Sequence, residues 1–140
     1  IYGILERQFH KYYVEAARNP LSTGEVMLQL LERRLDNAIY RLGFAPTRAA
    51  ARQVVAHGNV TVNGKKLNIP SYIVKVGDVI SLTDTGANIP YIKSRIADKE
   101  LASAPWLDKK AILGKVKRLP ARSDITEAIN EQLIVEFYSR

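Results

Sequence analysis

Residues 33–67 read RRLDNAIYRLGFAPTRAAARQVVAHGNVTVNGKKL, where helix, turn and strand signals follow one another in close order. Leu35, Ile39 and Leu42 stand at i, i+4 and i+7, the apolar stripe of an amphipathic helix. Gly43 ends that helix, because the residue after a helix terminus commonly needs a positive φ. After the short Phe44-Ala45-Pro46 link, Thr47 caps a second helix running from Arg48 to His57, and Gly58 closes it. Two short helices with so tight a connection form a helix-turn-helix. Val60-Thr61-Val62 and Lys65-Lys66-Leu67 then flank Asn63-Gly64, whose residues tolerate the positive φ values of a type I′ turn, so a β-hairpin is expected.

Downstream, Tyr72 to Val76 and Val79 to Leu82 read as a further strand pair joined by Gly77-Asp78. Residues 83–90 read as loop and Tyr91 to Ala102 as a short basic helix. Pro105-Trp106-Leu107 is expected to anchor a loop on the core, with Ala111 to Leu119 returning as a strand. Upstream, Leu5, Phe9, Tyr12, Tyr13 and Ala16 mark a helix from Tyr2 to Arg18, stopped by Asn19-Pro20. Ser22-Thr23-Gly24-Glu25 has capping-box spacing, and Met27, Leu28 and Leu31 lead into the Leu35 stripe. This series is either one long helix or two that meet near Glu32 and Arg33. Asp124 with Glu127 is spaced to cap a last turn, and Leu133-Ile134-Val135 is a buried run.

The chain holds 21 Lys plus Arg against 14 Asp plus Glu, for a net charge of +7. That balance favours a polyanionic partner, nucleic acid or an anionic membrane. Its distribution is more telling. Residues 1–32 carry a balance of −1, 33–66 +6, 67–90 −1, 91–118 +5 and 119–140 −2. The positive field therefore belongs to a face. No apolar run approaches the roughly 20 residues of a membrane span. With no cysteine, disulfides, thiolate metal sites and cysteine nucleophiles are excluded. His10 and His57 lack clear partners, and no phosphate-binding glycine loop, zinc spacing or nucleophile elbow is present, so no enzymatic chemistry, cofactor or metal is expected.

Arg34 and Arg41 project along one flank of the first helix, and Arg48 and Arg52 lie one turn apart on the second. Packed through their apolar stripes, the two helices are expected to line four guanidinium groups along one surface beside the turn, with Asp36 as the local counter-charge. Planar, permanently charged donors on rigid elements suit phosphate oxygens. Lys65 and Lys66 follow the hairpin tip, where they fit either an RNA contact or a solvated strand edge. Arg33, Thr47 and His57 complete the expected RNA-binding set. Lys93, Arg95, Lys99, Lys109 and Lys110 form a third cluster, interrupted by Asp98, Glu100 and Asp108, for which a smaller effect is expected. Of the tyrosines, Tyr72 and Tyr91 are the two to test as stacking platforms.

Taken together, Arg34-Leu35-Asp36-Asn37, Tyr40-Arg41-Leu42-Gly43-Phe44, Thr47-Arg48-Ala49, Ala51-Arg52-Gln53, Val60, Val62-Asn63-Gly64 and Gly77-Asp78 resemble the alpha-L RNA-binding motif. That module also occurs in enzymes such as pseudouridine synthases. The flanks are more specific: Tyr2 to Phe9, Tyr12 to Ala17, Arg122 to Ile125 and Ile129 to Arg140 resemble the bacterial-type S-four family of small-subunit ribosomal proteins, in register to the end of the chain. The resemblance implies an α+β fold in which both chain ends, 1–32 with 119–140, form a helical subdomain and 33–118 is an inserted alpha-L subdomain with a small, mostly antiparallel sheet. It implies a monomeric structural protein that binds small-subunit rRNA at a junction in the 5′ domain early in assembly and contributes to translational accuracy. The implied neighbours are other small-subunit proteins, especially the fifth, and mRNA near its entry path. The implied location is the small subunit in the cytoplasm or an organelle, without a membrane.

The chain opens at Ile1 in a helix-like stretch, so it is expected to be a fragment of a longer protein. The family's basic N-terminal segment, which holds zinc in some members, is not among these residues and its zinc site is not carried over. Two rival readings stand beside this one: a DNA-binding helix-turn-helix regulator with Arg48 and Arg52 opening its recognition helix, and an enzyme carrying an alpha-L domain.

Overall fold

The computed structural model describes Lys11, residues 23–98, residues 103–121 and Asp124. The readings on Tyr2 to Arg18, Asn19-Pro20, the Ser22 to Glu25 capping side chains, Glu127 and Leu133 to Val135 lie outside what is described.

The apolar series from Met27 to Leu42 forms two helices, α1 (Thr23–Glu32) and α2 (Leu35–Arg41). Their break is closed by a segment about forty residues later in the chain. Leu35 N–H donates to the Tyr72 carbonyl at 2.8 Å, Asp36 N–H to that of Pro70 at 3.1 Å, and Val74 N–H to that of Arg33 at 2.9 Å. Backbone acceptors thus satisfy donors at the start of α2, where Arg34 supplies no side-chain cap. This use of residues 70–74 corrects the expected strand from Tyr72 to Val76. Ile73 makes only an isolated antiparallel bridge, to Arg34, and does not pair with Val79 to Leu82. Asp78 turns the chain instead: its Oδ2 accepts from Lys75 N–H at 2.9 Å, next to Gly77 at φ +92°.

The helix-turn-helix and hairpin form as their punctuation dictates. Gly43 and Gly58 adopt φ +82° and +76°. Thr47 Oγ1 accepts from Ala50 N–H at 3.0 Å to start α3 (Arg48–Ala56). Between β1 (Val60–Val62) and β2 (Lys65–Lys66), Asn63 and Gly64 take φ +54° and +83°. β3 (Val79–Leu82) follows. The expected loop at 83–90 contains a helical turn, α4 (Asp84–Ala87), capped by Thr83 through a 3.1 Å bond from Gly86 N–H. It is tolerated because Gly86 has no side chain: a Cβ there would lie 2.8 Å from the Asn59 carbonyl. α5 (Pro90–Ala97) begins on its proline, which needs no N–H partner at that position.

A hairpin completes the described sheet, with β4 (Leu107–Lys110) and β5 (Leu113–Val116) joined by Ala111 at φ +53°. The strand expected over Ala111 to Leu119 is therefore β5 alone, and β4 is an addition. Its alternation is hidden in the sequence because the half-buried Lys109 holds an inward position, with Nζ 5.2 Å from the centre of the Phe44 ring.

Among the described residues the five strands form one antiparallel sheet in the order β2-β1-β3-β5-β4. One face carries Val60, Val62, Ile80, Leu82 and Val116 into a core with Leu35, Ile39, Leu42, Phe44, Val54, Val55 and Trp106. Leu42 lies directly on the sheet at Gly114, where an added Cβ would come 2.5 Å from Leu42 Cδ2. Beyond β5, Asp124 accepts from both terminal nitrogens of Arg118 at 2.7 and 3.0 Å, and Gln29 Nε2 donates to the Pro120 carbonyl at 3.1 Å. The chain therefore comes back to α1 after leaving the sheet.

Two outcomes follow from this packing. Gly114→Ala is expected to lower stability by about 1–3 kcal/mol through overpacking, measured by urea unfolding followed on the fluorescence of Trp106. The Arg118 hydrogen bonds hold the Asp124 carboxyl below its usual range. A depressed carboxylate contributes stability above the unfolded value of about 4, and that contribution fades as the pH falls through the folded pKa. Urea midpoints measured from neutral pH into acid should fall less steeply below about pH 4 in Asp124→Asn than in the parent chain.

Candidate nucleic-acid interface

The α1–α2 break concentrates charge. Glu32, the last residue of α1, is fully buried and accepts from Arg41 Nε at 2.6 Å and Nη2 at 3.3 Å. Asp36, in the first turn of α2 where the helix dipole favours a carboxylate, accepts from Arg34 Nε and Nη2, both at 3.1 Å. It also accepts from Arg52 Nε at 3.4 Å, which ties α3 to α2. Asn37 connects the two ion pairs. Its N–H donates to Asp36 Oδ1 at 2.7 Å, its Nδ2 to the Glu32 carbonyl at 2.7 Å, and its Oδ1 accepts from Arg48 Nε at 2.8 Å.

Arg48 is fixed from a second direction, since its guanidinium carbon stands 4.6 Å from the centre of the Tyr40 ring. A guanidinium stacked on an aromatic face is attracted by the ring quadrupole and loses little entropy on binding, because its plane is already set.

The structure does not place the four arginines on one exposed surface as expected. Arg34 is 3% exposed and the Arg41 side chain 11%, each in a two-pronged pair with a buried carboxylate. The Arg52 side chain is 39% exposed and Arg48 half-buried, so these two reach the surface. Arg33 is half-buried and gives Nε to the Val74 carbonyl at 3.0 Å. Thr47 is exposed, with its hydroxyl oxygen accepting the helix-capping bond. His57 at the end of α3, and Lys65 and Lys66 on β2, are exposed. Of the expected residues, Arg48, Arg52, Thr47, His57, Lys65 and Lys66 thus reach the surface as the candidate interface, with Arg34 and Arg41 beneath it.

Sequence reading missed Glu32 as a counter-charge and Tyr40 as the platform of Arg48. No local spacing announces Glu32, because the helix breaks between it and Arg41. Tyr40 was legible: Asn37, Tyr40 and Arg41 share one face of α2 at i, i+3 and i+4. In the third cluster, Arg95 Nε donates to the Gly43 carbonyl at 2.6 Å and so holds the turn between α2 and α3. Burial first, and Arg95 nearby second, lower the Lys109 pKa. Tyr72 donates its hydroxyl to Asp78 at 3.3 Å, and burial, then the Asp78 charge, raises its pKa. It is a packing group, whereas Tyr91 is exposed.

Comparison with known proteins gives concordant matches. The family described as the S4 domain matches residues 33–80, and that described as the ribosomal protein S4/S9 N-terminal domain matches residues 1–32. The small ribosomal subunit protein uS4A of Symbiobacterium thermophilum is 51% identical over 141 residues, covering 99% of this chain and 68% of that protein. Small ribosomal subunit protein uS4 of Akkermansia muciniphila is 52% identical over 143 residues, covering 99% of this chain and 70% of its own length. The uS4 of Aquifex aeolicus is 52% identical, with 99% and 68% covered.

The buried pairs predict a separation of roles. Asp36→Asn is expected to cost about 3–5 kcal/mol, because it deprives a buried Arg34 of its carboxylate. Replacing Arg34 and Asp36 together by apolar residues of similar volume should recover much of that loss, as a double-mutant cycle of urea unfolding would show.

Proposed function

The chain belongs to the uS4 family of small-ribosomal-subunit proteins, and on that premise we propose that its α2–α3 face and β1–β2 hairpin bind small-subunit rRNA directly. It is a structural, non-enzymatic constituent of the small subunit. The observation that carries the proposed face is the double restraint on Arg48, which is held by Asn37 at 2.8 Å and stacked 4.6 Å over Tyr40 inside the segment matched by the S4 domain. Arg48 and Arg52 supply the phosphate contacts, with Thr47, His57, Lys65 and Lys66 beside them. Arg33, Arg34 and Arg41 act beneath this surface, positioning its elements.

The finer reading follows the family resemblance. The protein nucleates assembly of the 5′ domain by binding at a junction, contributes to translational accuracy, and meets the fifth small-subunit protein and mRNA near its entry path, in the bacterial cytoplasm. Residues 1–32 and 119–140 form one helical subdomain with 33–118 inserted. The Gln29 bond to Pro120 supports that arrangement by bringing together the two points where the chain enters and leaves the insert.

Because a glutamate at position 52 would face Asp36, neutralisation is the cleaner test. Arg48→Gln with Arg52→Gln should weaken binding to junction rRNA and make the log-salt slope shallower by about 0.7 to 0.9 for each phosphate no longer neutralised. Unchanged affinity and slope in a folded double variant would refute the assignment of this face. Tighter binding to a short palindromic DNA duplex, compared over the same salt series, would refute the ribosomal RNA reading.

A further inference from the structure

The helices cover one side of the sheet; its other side has a chemistry of its own. Strand register aligns Lys66, Thr61, Ser81, Leu113 and Lys110 in one row across all five strands. Successive side chains alternate between faces, so this row lies opposite the buried row containing Val62 and Ile80. The next row on the same side places Lys115 between Val79 and Asp108. Lys66, Lys110 and Lys115 are exposed, Thr61, Ser81 and Val79 half-buried, and Leu113 exposed.

We propose that this outer face of the sheet is a second binding surface for the sugar-phosphate backbone of RNA, separate from the Arg48 and Arg52 face. The proposal rests on the reading of the protein as an rRNA binder. Charge and the side chains of the outer rows support it. These rows set Lys110 and Lys115 against one carboxylate, Asp108, while Lys66, whose stem lies beside Gly58 at the end of α3, marks the edge shared with the first face. Between the lysines lie Thr61, whose hydroxyl suits a phosphate oxygen or a ribose hydroxyl, and Ser81, which gives its hydrogen to the Leu82 carbonyl at 3.1 Å and keeps its oxygen to accept from a ribose hydroxyl. The row spans about 19 Å at the usual strand spacing, a track long enough for several successive phosphates. A protein partner would want an apolar centre, and an anionic membrane would want a broad apolar face to insert. The outer rows offer only Leu113 as an exposed large apolar side chain. A chain with basic surfaces on both sides of one sheet can hold two RNA segments together, as a junction binder must.

The test compares Lys110→Gln with Lys115→Gln in one chain against Arg48→Gln with Arg52→Gln in another, both in the otherwise intact 140-residue protein. Each is titrated onto small-subunit junction RNA over a salt series and footprinted by hydroxyl-radical cleavage. The sheet variant is expected to bind severalfold more weakly, with a slope shallower by about 0.7 to 0.9 per lysine, and to lose a set of backbone protections different from the set that the helix-face variant loses. Unchanged slope and protections in the sheet variant, while the helix-face variant loses both, would overturn this proposal and leave the function standing. If the parent chain fails to bind junction RNA, both readings fall. If Lys110 and Lys115 are shielded from amine labelling in assembled subunits but their substitution changes no RNA protection, the face belongs to a neighbouring protein and the proposal is wrong.

Discussion

A buried carboxylate shared by Arg34, in the break just before α2, and Arg52, on α3, is the constraint on which the rest of this fold depends. Asp36 accepts from Arg34 through both oxygens and from Arg52 at Oδ2. Removing Asp36 and Arg34 from water is costly, and the cost is offset only where geometry is good and the remaining oxygen valences are used. Here both carboxylate oxygens accept from Arg34, and the Asn37 amide completes the set. Such an arrangement has few alternatives, so it fixes how α3 sits on α2. Glu32 and Arg41 do the same for α1 on α2. Buried ion pairs are weak evidence of stability but can specify a unique packing, and specific packing is what an interface of short helices requires.

The consequence for recognition is a division of labour that composition conceals. The segment 33–66 looks uniformly basic, yet Arg34 and Arg41 lie beneath the surface, held by acids from the same neighbourhood. The arginines that reach the surface have restricted orientations: Arg48 by an amide and an aromatic face, Arg52 by a carboxylate behind it. A preset guanidinium fork loses less freedom when it meets a phosphate, which is how restraint far from the ligand becomes affinity.

What was legible in the sequence was mostly backbone chemistry. Gly43, Gly58 and Asn63-Gly64 announced positive φ values, Thr47 announced a cap, and the periodic apolar residues announced the helix faces; all are local signals. What was not legible depended on distant partners. Tyr72 to Val76 has the composition of a strand, but the open N-terminus of α2 recruits the carbonyls of Pro70 and Tyr72. Strand β4 was obscured by Lys109, whose stem packs inward while its charge stays at the ring of Phe44. The burial of Arg34 and Arg41 was invisible for a related reason. A guanidinium looks surface-bound until the fold brings a carboxylate to it.

The sheet ends on both sides in paired lysines, Lys65–Lys66 on β2 and Lys109–Lys110 on β4. An outermost strand presents backbone donors and acceptors that a second copy of the same chain can extend, strand upon strand, into a growing polymer. Here an added copy would bring the exposed Lys65, Lys66 or Lys110 against lysines of its own kind across the new seam, and that repulsion opposes the pairing. The same side chains that make this surface basic therefore keep its sheet edges from templating aggregation.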